Sequence, residues 1–249
     1  MQRLILGATF AALLAVAATA HAQPTLVSGL GGPNDFGTQC LSPNDDGSSA
    51  LIDLTPAFPA GLNFFGTRYM NVYVNTNGNL TFGSGLPTYT PAAFPIAAQP
   101  MIAPYWADVD LRVTGADVGG DRWATCMIAP GAGNGVYWAL EPRRMIVTWD
   151  HVGYYNIHND LQMTFQLILT AADSGCGGAG DFDVEFRYTQ CGWNTGDASG
   201  GHAGMASCAS DAICTCSASA RRDAWRASAL VRRRGRPVST PAIGETMSR

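Results

Sequence analysis

Apolar and polar positions alternate in short runs along the middle of the chain, and this pattern predicts β-strands joined by tight turns. The clearest run covers residues 69–75, and a second short run follows at residues 80–82. Between them lies Asn77-Gly78, which predicts a type I′ hairpin turn because both central residues of that turn need a positive φ. We therefore predict a β-hairpin over residues 69–82.

Further strands are predicted on both sides of this hairpin, and no helical period is sustained beyond the N-terminus. Two of the runs are joined by residues 141–144 and form a second antiparallel pair. The additional segments are residues 51–54, 62–66, 136–140, 145–149, 163–169 and 183–188. They predict an all-β fold, a single antiparallel two-layer β-sandwich-like domain over residues 50–200.

One stretch, residues 100–111, combines aliphatic, aromatic and acidic side chains. We predict it to be a central strand that begins in the core and ends at the surface. Alternation then places Asp108 and Asp110 on the same face as Trp106. Two carboxylates on one strand face can have three roles, and the pattern alone leaves all three open.

The first role for Asp108 and Asp110 is structural, in which they accept hydrogen bonds from loop N–H groups or pair with arginine. This is the role that we favour. The second is a Ca²⁺ site, to which Asp117 and Asp121 could add oxygen ligands. The third is catalysis by two carboxylates that flank a sugar, as in glycoside hydrolysis. Apart from Ca²⁺, we expect no cofactor.

The two ends of the chain differ from its body. Residues 1–22 have a basic start, an apolar stretch and an Ala20-His21-Ala22 cleavage motif, which predict a signal peptide and hence a secreted protein. Residues 23–49 are rich in Gly, Pro, Asn and Asp and predict a loop-rich segment. Residues 201–249 lose the strand pattern and gain Arg and Cys, so we expect an irregular basic tail that is disordered or translated out of frame.

Composition narrows the function classes. The formal net charge is -4, and the acidic body gives no support for nucleic-acid binding. Beyond the signal peptide, no stretch is apolar over a length that could span a bilayer. The chain lacks lysine and favours Ala, Gly and Arg, which indicates a GC-rich bacterial gene.

Export permits disulfides, and four of the seven cysteines lie in the acidic body. Cys176 and Cys191 flank a strand-like run and could meet where neighbouring strands pair, so we predict a disulfide between them. Cys40 and Cys126 then remain as a second pair by elimination.

Aromatic residues near the end of the body, among them Trp149 and Trp193, could form a platform on which a sugar stacks. The competing interpretation is that they belong to the core or its rim, where such residues more often lie.

Several short motifs occur in an order that is typical of one family. They are Phe64-Phe65-Gly66 with Tyr69, Val72-Tyr73-Val74-Asn75, Asn77-Gly78, Leu80-Thr81-Phe82, residues 102–110, Val147-Thr148-Trp149, residues 152–155, residues 164–169, Phe186-Arg187-Tyr188, Trp193 and Thr195-Gly196. In this ordered set, the chain resembles the nidogen-like extracellular (NIDO) domain family. The resemblance implies an extracellular, non-enzymatic domain associated with cell–matrix adhesion, and it supplies no catalytic residues. The family continues into a final strand region where this chain has its Arg/Cys-rich tail.

We therefore expect a secreted, non-enzymatic NIDO-like protein that acts in cell–matrix adhesion or extracellular surface interaction. Its expected partner is an extracellular matrix protein, a glycan or a cell-surface component. The alternative is a secreted glycan-binding or glycan-hydrolysing β-sandwich protein that uses Asp108 and Asp110.

Overall fold

The computed structural model describes residues 25–91, 99–112, 133–172 and 178–199. The predicted signal peptide and the predicted tail lie outside these ranges. The described residues form a short 3₁₀ helix and the following strands: β1 (Gln39–Cys40), β2 (Ile52–Asp53), β3 (Leu62–Phe64), β4 (Thr67–Tyr69), β5 (Asn71–Asn75), β6 (Asn79–Thr81), β7 (Met101–Ile102), β8 (Val109–Asp110), β9 (Gly135–Glu141), β10 (Arg144–Tyr154), β11 (His158–Ala171) and β12 (Phe182–Cys191). In this described part of the chain, there is no helix with the length and apolarity needed to cross a membrane.

The larger sheet has the order β1-β9-β10-β11-β12, and β8 also pairs with β10. The predicted second pair is the hairpin β9–β10, which turns at Pro142-Arg143. Arg143 has a φ of 66°, and a proline followed by a residue of positive φ is typical of a type II turn. The other two predicted long strands lie within β11 and β12, which pair along most of their length.

A smaller sheet, with the order β2-β5-β6-β7, packs against the larger one, and β3 and β4 form a separate hairpin. All the strand pairs are antiparallel. Apolar side chains of both sheets share one buried cluster, among them Val74, Leu80, Val147, Phe165 and Leu167. The predicted antiparallel two-layer β-sandwich is therefore confirmed.

Trp149 on β10 joins the two layers. Its ring is fully buried and stacks on Phe165 at a centroid distance of 4.9 Å. Its Nε1 donates to the carbonyl oxygens of Asn75 at 3.2 Å and Thr76 at 3.1 Å, where β5 ends. Because a buried indole N–H without a partner is unfavourable, these bonds fix the β5–β6 turn against the larger sheet.

The β5–β6 turn differs from the predicted type I′ turn. Asn75 pairs with Asn79, so three residues form the loop, and only the last of them, Gly78, has a positive φ, of 74°. A left-handed residue at the end of a three-residue loop is the second common hairpin connection. The prediction was wrong because it took Asn77 and Gly78 as the two central residues of a two-residue loop. The backbone carbonyl and side chain of Asn77 are both bound by residues of the distant segment 107–109.

The stretch at residues 100–111 is two short strands and a crossing, where one continuous strand was predicted. β7 pairs with β6 in the smaller sheet, and β8 pairs with β10 in the larger sheet. Pro104 lies between them, and a proline cannot donate to a strand ladder. The predicted surface end is also wrong, since Asp108 is 2% exposed and Asp110 is 0% exposed.

The N-terminal segment covers the outer face of the larger sheet. Gln166 on β11 points to this face, since its neighbours Phe165 and Leu167 face the core. Its Oε1 accepts from the N–H of Val27 at 2.9 Å, and its Nε2 donates to the carbonyl oxygen of Val27 at 3.0 Å. The buried side chain of Gln166 thus makes the two hydrogen bonds that a neighbouring strand would make. These bonds attach the loop at Val27 to the sheet, although Val27 is not in a strand.

Gly78 provides a test of the close contact between the turn and the crossing segment. A Cβ at Gly78 would lie 1.7 Å from the carbonyl oxygen of Tyr105. We expect Gly78→Ala to lower the free energy of unfolding by about 3 kcal/mol or more, because steric overlap adds to the cost of a left-handed alanine. Urea unfolding measures the change.

Gly66→Ala is the matched control. Gly66 also has a positive φ, of 81°, but nothing lies within 4 Å of a Cβ there. We expect a loss of about 1 kcal/mol from backbone conformation alone. Equal losses for the two variants would contradict the close approach at Gly78.

Candidate functional site

Strand β8 positions the two predicted carboxylates. β9 pairs with β10 as far as Asp150, and beyond that point β10 pairs with β8 instead, with Gly153 opposite Asp110. The N–H of Tyr155 donates to the carbonyl oxygen of Asp108 at 3.1 Å and extends this pairing by one bond. Both acids are therefore held by the backbone at one end of the larger sheet.

Asp110 is fully buried and satisfied on both carboxylate oxygens. Its Oδ1 accepts from the N–H of Arg112 at 2.9 Å and from Nε of the same arginine at 2.8 Å. Its Oδ2 accepts from Nη2 of Arg112 at 2.5 Å and from the N–H of Ile157 at 2.9 Å. Ile157 has a φ of 60°, which is unusual for a β-branched residue, so this bond also holds a strained turn. Asp110 thus has the structural role that we favoured.

A tight turn at residues 44–47 lies beside β8. The Oδ1 of Asn44 accepts from the N–H of Gly47 and from the hydroxyl of Thr76, both at 2.6 Å. The carbonyl oxygen of Asn44 accepts from the N–H of Leu111 at 2.8 Å. The turn is therefore bonded both to the β5–β6 loop and to the residue that follows β8.

Asn77 completes this junction with its side chain. Its Oδ1 accepts from the N–H of Val109 at 3.0 Å, and its Nδ2 donates to Oδ1 of Asp46 at 2.7 Å. Its carbonyl oxygen accepts from the N–H of Ala107 at 3.3 Å. One asparagine thus connects three segments that are far apart in sequence.

The junction brings three acids together. One carboxylate oxygen from each of Asp45, Asp46 and Asp108 lies within 4.8 Å of the other two. Oδ2 of Asp108 is buried and has no hydrogen-bond partner among the described residues. The chain closes over this side chain, since a Cβ at Gly196 would lie 2.6 Å from the Cβ of Asp108. We call these three residues the acidic cluster.

The electrostatics of the acidic cluster disfavour a charged Asp108. Burial, and then the negative charges of Asp45, Asp46 and Asp110, raise the pKa of Asp108 to about 7, while Arg112 acts in the opposite direction. Arg112 is shared, because its Nη2 lies 3.1 Å from Asp45 and 2.5 Å from Asp110. Among the described residues, four acids and one arginine meet here, and this negative excess favours a bound cation.

The set of acids that meet differs from the set that the sequence predicted. Asp108 belongs to the acidic cluster, but Asp110 is bound to its own arginine. The other two predicted ligands, Asp117 and Asp121, lie outside the described residues. Sequence reasoning missed Asp45 and Asp46 because their only signal is a pair of acids before a glycine, which many turns contain.

A catalytic use of Asp108 and Asp110 requires both carboxylates to face a substrate. Asp110 is 0% exposed, and its oxygens are occupied by Arg112 and by backbone N–H groups. The sugar platform is also contradicted, since Trp149 and Trp193 are fully buried in the core. The two tryptophans are therefore core residues. The hydrolase hypothesis lacks a second carboxylate that could face a substrate.

Cys40 and Cys191 are both disulfide-bonded. They lie on β1 and β12, the opposite ends of the main path of the larger sheet. Strands are spaced about 4.8 Å apart, so these two cysteines are too distant to bond to each other. Their predicted partners, Cys126 and Cys176, lie outside the described residues, and the two pairings stay predictions.

The fold defines the class of protein, a two-layer antiparallel β-sandwich domain, and comparison with known proteins defines the family. A family model for the nidogen-like domain matches residues 70–122 and 137–210, more than half of the chain. The chain therefore belongs to the nidogen-like domain family, and the resemblance predicted from the sequence is confirmed.

The relatives are much longer proteins. The chain is 32% identical to alpha-tectorin of Mus musculus over 171 residues, which are 63% of this chain and 7% of that protein. It is 32% identical to alpha-tectorin of Gallus gallus over 182 residues, 68% of this chain and 8% of that protein. It is 30% identical to nidogen of Drosophila melanogaster over 176 residues, 66% of this chain and 12% of that protein. No solved structure matches the chain.

The structural role of Asp110 can be tested with Asp110→Asn. The substitution keeps the size of the side chain but removes the charge that binds Arg112 and one acceptor for backbone N–H groups. We expect the free energy of unfolding to fall by about 2–4 kcal/mol, as when one member of a buried pair is removed.

Asp183→Asn is the matched control, since Asp183 is exposed on β12 and loses the same charge. We expect this change to stay within about 0.5 kcal/mol of the parent chain. Chemical unfolding of both variants makes the comparison. A loss for Asp110→Asn no larger than for Asp183→Asn would rule out the structural role.

Proposed function

We propose that this chain is an exported, non-enzymatic nidogen-like module that binds an extracellular matrix or cell-surface protein. The observation that carries the proposal is membership of the nidogen-like family, with similarity to alpha-tectorin and nidogen. The association of this family with cell–matrix adhesion supports the role, and the predicted signal peptide at residues 1–22 supports the location.

The β3–β4 hairpin supports a protein partner. Phe65 at its turn is 65% exposed and has a φ of 50°, followed by Gly66 with a φ of 81°. A left-handed conformation costs a non-glycine residue roughly 1–2 kcal/mol, and exposure forgoes the gain from burying an aromatic ring. The ring is held edge-on against Phe64 at 4.7 Å. A positioned, exposed aromatic at a strained site fits a contact with a partner protein.

Binding of the purified secreted chain to immobilised matrix proteins and to cell surfaces tests this function. We expect saturable binding by the parent chain and at least a tenfold weaker affinity for Phe65→Asn, which corresponds to about 1.4 kcal/mol. Asparagine tolerates the left-handed conformation, so thermal unfolding of Phe65→Asn should resemble that of the parent. Tyr89→Asn is the control, because Tyr89 is another exposed aromatic (40%) and its replacement should leave the affinity unchanged.

Two results would contradict the proposal. The first is the absence of saturable binding to any matrix or cell-surface protein. The second is hydrolysis of a glycan that is abolished in Asp108→Asn, which would establish the enzymatic alternative. Binding that a free glycan competes away would replace the protein partner by a glycan.

A further inference from the structure

We propose that Asp45, Asp46 and Asp108 form a Ca²⁺ site that ties the turn at residues 44–47 to the segment leading into β8. This proposal does not depend on the proposed function, because it concerns the stability of the domain and not its partner. It rests on the geometry of the acidic cluster and on the burial of Asp108.

The distances suit a shared cation. One oxygen from each of the three carboxylates lies within 4.8 Å of the others. Three oxygens whose separations are at most 4.8 Å lie within about 2.8 Å of a common point, slightly beyond the usual Ca²⁺–oxygen distance of about 2.3–2.6 Å. A small adjustment of the side chains therefore lets one ion contact all three carboxylates.

Asp108 gives independent evidence for a ligand. It is 2% exposed, and its Oδ2 is buried without a hydrogen-bond partner among the described residues. Buried polar atoms almost always have a partner, and a buried carboxylate oxygen that has none and lies near two other acids is unfavourable. Asp110, at the same end of the sheet, differs from Asp108 because its carboxylate accepts hydrogen bonds from Arg112 and from the N–H of Ile157.

The ligand chemistry selects the ion. The three side chains offer only carboxylate oxygens, which suit hard cations and not the softer metals that prefer thiolate or imidazole. Asp45 and Asp46 are adjacent in a turn, and Asp108 comes from a separate crossing segment. Such an irregular set fits the variable coordination of Ca²⁺ better than the strict octahedron of Mg²⁺. Each carboxylate has a second oxygen, so Asp45 can bind an ion and still pair with Arg112.

Thermal unfolding of the purified whole chain, stripped with chelator and titrated with CaCl₂, tests the site. We expect Ca²⁺ at about 1 mM to raise the Tm by roughly 3 °C or more, as for an extracellular module of ordinary affinity. Isothermal titration calorimetry should show one site that binds Ca²⁺ more tightly than Mg²⁺. A missing Tm shift with no binding heat, or tighter binding of Mg²⁺, would overturn the proposal.

Variants locate the site. Asp108→Asn should fold without Ca²⁺ at least as well as the parent, because the amide removes an unfavourable buried charge, and it should lose the Ca²⁺-dependent Tm shift. Asp46→Asn, at a less buried position, should weaken Ca²⁺ binding at least tenfold and serves if Asp108→Asn does not fold. Asp183→Asn, the exposed control, should keep the full shift. An undiminished shift in both cluster variants, or an equal loss in Asp183→Asn, would contradict the assignment.

Discussion

The three-residue loop between β5 and β6 is the contact on which the rest of the structure depends. The indole N–H of Trp149 donates to the carbonyl oxygens of Thr76 in this loop and of Asn75 just before it, which connects the smaller sheet to the larger one. Through Asn77 and Gly78, the loop also accepts N–H groups from the segment that crosses between the sheets. A backbone that lacked these partners would place several polar groups unpaired in the interior. The loop therefore fixes the distance between the sheets and the path of the crossing chain together.

The same contact determines where the acids lie. The crossing segment is bound to Asn77, and its next residues pair with the part of β10 that β9 does not reach. In this position, Asp110 accepts hydrogen bonds from Arg112. Asp108 comes just before this strand and cannot turn outward, because the chain at Gly196 packs against its side chain. Backbone geometry thus decides the burial of both carboxylates, and within the described part of the chain only Asp110 forms an ion pair.

The long strands could be predicted from the sequence, whereas the site could not. β9 to β12 contain runs rich in apolar residues, so local pattern is enough to locate them. The prediction of a single strand from Met101 to Asp110 was wrong because its apolar residues belong to two different sheets. The alternation of apolar and polar residues does not show which sheet a residue joins. Asp45 is some sixty residues from Asp108 in sequence, and their meeting depends on the β5–β6 loop, whose Thr76 donates to Asn44 and whose Asn77 accepts from Val109. Asp108 and Asp110 could be recognised in the sequence as candidate site residues. The residues that they contact depend on the topology of the fold.

The distribution of charge between the two acids is the reason that we assign a structural role to Asp110 and propose Asp108 as a ligand. A buried carboxylate is stable when cations and N–H donors match its lone pairs, as they do for Asp110. Arg112 is already bound to Asp110, and it also contacts Asp45. Among the described residues, Asp108 has three acids near it and no ion pair of its own, so a proton or a metal ion would stabilise it. A proton would leave the turn at residues 44–47 attached by hydrogen bonds alone. A divalent ion would bind that turn to the crossing segment directly. This link would matter because the N-terminal part of the domain has little regular structure to hold the turn in place.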